Sequence, residues 1–224
     1  MTPRQLPLPL GFAPCYAAAD FVADSSNAEV RAWLADPARW PNNRLALYGE
    51  AGRGKTHLLH VWAAETGAEL VDGAGLRQPL LAGRTLALDD ADLAGEEALL
   101  HTVNACAEGG HKLLLAAREP PGRWAAALPD LQSRLRATAA AGLGEPSDAM
   151  RAVLLARLLS DRQLTLPAVH QAWLLERLPR SAAVLREVAA RLDRASLAHG
   201  RALTRPLLVD VLDGLSADDG FYPD

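Results

Sequence analysis

Gly49-Glu50-Ala51-Gly52-Arg53-Gly54-Lys55-Thr56 meets every fixed position of the pattern G-x-x-x-x-G-K-[ST], between the apolar run Leu45-Ala46-Leu47-Tyr48 and a helical reading over Thr56–Glu65. Gly49, Gly52 and Gly54 let the backbone wrap a phosphate chain with its N–H groups inward, and the helix that follows adds the positive end of its dipole. Lys55 is expected to reach the β- and γ-phosphates, and the Thr56 hydroxyl to ligate Mg²⁺. Composition supports this: the chain has 2 Lys against 21 Arg, and Lys55 is one of the 2. A site that keeps a compact ammonium amid planar guanidinium groups needs a point charge. The cofactor expected is ADP or ATP with Mg²⁺.

Outward from the loop, strand and helix readings alternate. Glu69-Leu70-Val71 is a short strand, and Thr85-Leu86-Ala87-Leu88 a clearer one that ends in Asp89-Asp90. A helix over Ala94–Glu108 leads to a fourth strand, Lys112–Ala116, and a fifth lies near Thr138–Gly142. Such alternation predicts an α/β fold with a parallel sheet and helices on both faces. Upstream, Ser26 or Asn27 is placed to cap a helix through Glu29–Leu34. Asp89 closes an apolar strand 33 residues after Thr56, where an acid can hold Mg²⁺ through its water shell, with Asp90 available to orient an attacking water. A turn or helix-capping pair is the plainer reading of the two.

After Pro146 only helices are indicated, over Ser147–Leu159, Pro167–Leu178, Ala182–His199 and Arg205–Leu215, with an acidic, frayed end from Ser216. The expected organisation is a tail over 1–14, an α/β domain over 15–145 and a helical domain over 146–224. The tail holds Pro3, Pro7, Pro9 and Pro14 and cannot be regular helix or central strand.

The net charge of −4, and the balance of 10 Arg with 10 acids over residues 146–224, argue against direct sequence-specific DNA binding by this chain alone. No apolar stretch reaches spanning length and the N-terminal residues lack a secretion signal, so a cytoplasmic protein with no membrane partner is expected. Cys15 and Cys106 are too few for a disulfide framework or zinc site and read as ordinary thiols. His57 and His60 sit at i, i+3 on a helix with no third metal ligand placed. Glu96-Glu97 reads as a solvated helix face, and the five tryptophans as scattered core or rim residues.

With these residues in place the chain resembles the AAA+ family of bacterial replication initiators, the DnaA-type ATPases. The resemblance rests on Gly49–His60, Leu88-Asp89-Asp90, Pro120-Pro121 and Leu128-Pro129-Asp130-Leu131-Gln132-Ser133-Arg134-Leu135, and covers roughly residues 20–215. Within the family the chain is similar to the Hda regulators, which lack the DnaA DNA-binding domain. The resemblance implies an AAA+ P-loop core with a helical lid, His57 within the nucleotide-binding loop-helix, and Asp20, Phe21 and Val22 cupping the adenine. It makes Arg134 an arginine finger, which enters a neighbour's nucleotide site, with Arg136 the nearby competitor. Gln5-Leu6-Pro7-Leu8-Pro9-Leu10 is similar to the peptide by which Hda proteins bind the sliding clamp, the beta subunit of DNA polymerase III. Leu6, Leu8 and Leu10 would be apolar anchors, Pro9 a stiffener and Gln5 a polar contact at the rim.

The activity implied is negative regulation of replication initiation: hydrolysis of DnaA-bound ATP, stimulated in trans by a protein with at most weak ATPase of its own. A self-oligomerising ATPase or helicase loader, and a non-catalytic nucleotide-dependent adaptor, are the alternatives. Two departures point to weak intrinsic turnover. The family's γ-phosphate-sensing Asp is missing from Ala116-Ala117-Arg118-Glu119-Pro120-Pro121 unless Glu119 substitutes, and the lid arginine falls on Ala183, with Arg180 and Arg186 nearby.

Overall fold

The computed structural model describes residues 16–18, 21–80, 83–199 and 203–219. The tail residues Gln5, Leu6, Leu8, Pro9 and Leu10, and Asp20 of the adenine segment, lie outside them. Packing divides the chain after Glu145 into an α/β unit and a helical unit.

In the α/β unit the apolar runs become β1 (Arg44–Tyr48), β2 (Glu69–Asp72), β3 (Leu86–Asp89), β4 (Leu113–Ala117) and β5 (Ala139–Gly142). They form one sheet ordered β2-β3-β4-β1-β5, parallel at every pairing. A parallel sheet is covered on both faces, which is why β1, β3 and β4 read as unbroken apolar runs. Leu45, Leu47, Leu114 and Ala116 pack with Val30 of α1 (Ala28–Ala35) and with Leu58, Leu59 and Trp62 of α2 (Lys55–Thr66). Ala46, Leu113, Leu115 and Ala117 point the other way, to Leu99 and Val103 of α3 (Glu96–Glu108) and to Leu131 and Leu135 of α4 (Pro129–Arg136). The strand period of two sorts the core into these two layers.

Several local expectations are corrected. Asn27 does stand at the N-cap of α1 but makes no side-chain cap bond there; the cap bonds belong to the turn before it, where Asp24 accepts from Ser26 N at 3.2 Å and the Asn27 side chain receives Asp24 N at 3.1 Å. Asn27 also donates to Val22 O at 2.9 Å, so this buried amide ties the 22–27 segment to itself. Trp40 and Trp62 are not scattered but stack at 5.3 Å. Glu96 is no idle surface acid: its carboxylate accepts from Ala127 N at 2.9 Å and Leu128 N at 3.0 Å, fastening the entry to α4. Those two amides hold its carboxyl below the usual range.

The helical unit consists of α5 (Asp148–Ser160), α6 (Ala168–Arg177), α7 (Ala182–His199) and α8 (Arg205–Asp219). Ser147 caps α5 through Met150 N at 3.1 Å. Arg151, 4% exposed, donates to Leu175 O at 2.7 Å and Leu178 O at 2.8 Å, satisfying carbonyls at the end of α6. Helix α8 continues to Asp219, past the frayed end expected from Ser216. No helix among the described residues is long and apolar enough to cross a membrane.

Leu114, fully buried in the middle of β4, touches this core with no route to solvent. Leu114→Ala is expected to cost about 2–5 kcal/mol, read as a lower urea midpoint of the α/β unit.

Candidate nucleotide-binding site

The loop leaves β1 at Gly49, whose φ of +151° favours glycine and whose N–H donates to Arg118 O at 3.1 Å. A Cβ there would lie 2.8 Å from Leu143 O, so the chain just after β5 closes the position to any side chain. Gly52 and Gly54 continue the turn at positive φ into α2. Lys55, 8% exposed, donates from Nζ to Gly49 O at 2.5 Å and Glu50 O at 3.0 Å. Burial lowers its pKa, and the nearby Arg118 pushes the same way, against the pull of Asp89 and Asp90. A buried ammonium resting on loop carbonyls, without an ion pair among the described residues, suits an anionic ligand.

Thr56 Oγ1 donates to Asp89 Oδ2 at 2.6 Å, so the two groups read as cation ligands from the sequence stand together. Among the described residues no three-acid or histidine cluster exists to hold a metal by itself. Mg²⁺ needs none, because waters and phosphate oxygens complete its shell. The donor set therefore fits a nucleotide with Mg²⁺: Lys55 and the loop for phosphates, Thr56 and Asp89 for the cation.

Asp90 is exposed beside this pair in a left-handed conformation, φ +45°, with its N–H donating to Asp89 Oδ1 at 3.1 Å. Its pKa is raised by partial burial first, then by the charges of Asp89 and Asp92. The backbone here depends on a residue that the motifs did not flag. Gly73 is packed so closely that a Cβ would fall 2.5 Å from Asp90 O and 2.7 Å from Asp89 O. Its only signal in the sequence is a glycine following the β2 strand.

Phe21 reaches to within 3.7 Å of the position a Cβ would take on Gly54, and lies 5.6 Å from the His57 ring. His57 is 3% exposed, with Nε2 3.1 Å from Ala17 O and the Tyr16 ring at its edge, while His60 stacks on Tyr16 at 4.0 Å. The two histidines thus hold Tyr16 and Ala17, and Val22 is fixed through its carbonyl to Asn27. Beside the loop a cleft of about 370 Å³ is lined by Tyr48, Gly49, Arg53, Arg118 and Arg123 among others. Glu119 lines the same cleft. It pairs with Arg123 at 3.3 Å, and Arg118, a cation, holds the place nearer Lys55. In the helical unit Arg180 is paired with Asp148 at 2.9 Å and Ala183 is exposed.

Arg134 lies elsewhere. On the last turn of α4 it is half-buried, close enough to Arg44 to depress the pKa of that residue, while Arg136 is exposed. Arg44 opens β1 and Gly49 follows its last residue, so a five-residue strand separates Arg134 from the chain's own phosphate loop. At about 3.3 Å per residue that is roughly 16 Å.

Comparison with known proteins agrees with this architecture. Residues 148–212 match the family described as Hda, lid domain. Domain III of the DnaA replication initiation protein from Thermotoga maritima superposes with a TM-score of 0.74 at 19% identity, over 90% of this chain and 97% of that one. AMPPCP-bound DnaA from Aquifex aeolicus gives 0.59 at 13% identity, over 90% and 91% of the two chains. A RuvB variant from Thermotoga maritima gives 0.70 at 16%, over 94% and 75%. At these identities the structural likeness is one of fold: an AAA+ P-loop core with a helical lid.

Gly73→Ala is expected to displace Asp89 and Asp90 and weaken Mg²⁺-dependent nucleotide binding more than Mg²⁺-free binding, as measured by titration with a fluorescent nucleotide. For Asp90 the folded pKa lies above the unfolded value, so the stability linked to its proton is complete below the unfolded value and lost as pH rises through the folded one. Thermal melts of Asp90→Asn against the parent should show a gain at neutral pH that shrinks as the buffer becomes acidic.

Proposed function

We propose that this chain, an AAA+ protein carrying an Hda lid domain, regulates replication initiation by promoting hydrolysis of ATP held by DnaA while tethered to the sliding clamp. The observation that carries this reading is the separation of Arg134 from the chain's own phosphate loop by the length of β1. A guanidinium so placed serves a second subunit. Stationed at a neighbour's γ-phosphate, Arg134 would stabilise the charge that develops as the terminal phosphoryl group departs. The chain's own site is built to hold: Lys55, Thr56 and Asp89 suit ADP or ATP with Mg²⁺, whereas Glu119 is taken up by Arg123. Bound nucleotide would chiefly shape the surface offered to DnaA, with little turnover in this chain. The lid match supports kinship with Hda, and the Gln5–Leu10 peptide supplies the clamp contact, using Leu6, Leu8, Pro9 and Leu10. Clamp tethering raises local concentration and ties the activity to ongoing synthesis.

The test is the rate of hydrolysis of ATP pre-bound to DnaA with clamp loaded on DNA. Intact protein should accelerate it; Arg134→Ala should remove about a thousandfold of the stimulated rate while sparing clamp binding. Gln5→Ala with Leu8→Ala should lose both clamp binding and stimulation. If intact protein leaves DnaA-bound ATP untouched, the reading is wrong.

A further inference from the structure

Helix α4 has 8 residues and opens at Leu128 without a side-chain cap of its own, with Pro129 next in line and no N–H to give. Helices this short are marginal alone, so the seat of α4 comes from outside it. Along one side Leu131 and Leu135 press into the core that holds Leu99 and Val103 of α3. At its end the Thr138 hydroxyl donates to Arg134 O at 2.8 Å, which holds the backbone of that arginine. At its start the support is a single side chain. Glu96, the first residue of α3, accepts from Ala127 N through both carboxylate oxygens, at 3.0 and 2.9 Å, and from Leu128 N at 3.0 Å.

An acid in the first turn of a helix ordinarily serves the N-terminus of that same helix. Glu96 instead reaches 31 and 32 residues along the chain to two amides of another segment. Charge-assisted bonds to two adjacent amides fix a direction as well as a distance. They grip the connector as it turns into α4, roughly 9 Å ahead of Arg134 at 1.5 Å per residue. Arg134 is half-buried on this helix between the buried Leu131 and Leu135, so a tilt of α4 at its start carries the guanidinium with it. We propose that Glu96 is a positioning residue for Arg134: by holding the amides of Ala127 and Leu128 it sets the seat of α4, and so the line along which the guanidinium meets the terminal phosphate of a nucleotide bound to a second protein. This rests on the reading of Arg134 given above.

The full-length chain tests it. Glu96→Ala removes every acceptor, and Glu96→Gln keeps one carbonyl oxygen for the amides. A misplacement of about 1 Å costs a catalytic group on the order of a hundredfold, so in the DnaA assay Glu96→Ala should lower the maximal stimulated rate by at least roughly tenfold, with the half-saturating concentration unchanged. Glu96→Gln should recover part of that loss. On an Arg134→Ala background, Glu96→Ala should change the remaining rate no further, because it acts only through that arginine. Titration with a fluorescent nucleotide should show the chain's own loop unaffected in both variants. A merely structural Glu96 would weaken nucleotide binding along with the rate and lower the remaining rate on the Arg134→Ala background, which overturns the proposal. So does an unchanged rate in Glu96→Ala. If wild type fails to stimulate DnaA, the functional reading falls, and amide hydrogen exchange still decides whether Glu96 seats the helix. Faster exchange in Glu96→Ala that runs through α4 to Ala137 upholds the seating; a change confined to Ala127 and Leu128 overturns it.

Discussion

Parallel pairing of β1 with β4 on one side and β5 on the other fixes where every chemically active group can stand. The register sets Tyr48 against Ala117 and Gly142, so the loop that follows β1 emerges between the C-terminal ends of both neighbours. Gly49 then donates to Arg118 after β4 and abuts Leu143 after β5. The same pairing puts Arg44 beside Leu113 at the opposite edge, where α4 delivers Arg134 into β5. The glycine-rich loop and the end of α4 are thus held about a strand's length apart by backbone hydrogen bonds.

Much of this was legible in the residues. The glycine-rich loop, the apolar strands and the helical run after Pro146 carry their structure in local pattern, because loop backbone, strand period and helix period are local properties. The meeting of Thr56 with Asp89 was legible too, since a strand ending in an acid must bring that acid to the loop edge of a parallel sheet. What escaped were contacts between distant segments. Glu96 gave no sign that it would take two amides 31 and 32 residues away, and Gly73 none that it would lie against the Asp89–Asp90 backbone. Helix α8 outran its expected end because acidic composition near a terminus says little about whether helical hydrogen bonds continue.

The charges just after β4 sit close to the loop. Arg118 acts on Lys55, and Glu119 pairs with Arg123 along the surface. More positive potential near Lys55 favours holding a polyphosphate and offers no carboxylate to report on its terminal group. Binding strength and readout are then separable properties of such a site.

The scarcity of lysine has a chemical corollary. Lys112 is engaged by Asn43, and Lys55 is buried on the carbonyls of Gly49 and Glu50, where burial lowers its pKa. A lowered pKa leaves a larger share of an amine in its unprotonated, reactive form. On a surface whose positive charge is otherwise guanidinium, mild acylating reagents would find few side-chain targets. Acylation at Lys55 would therefore report whether the phosphate cradle is filled, against a nearly silent background.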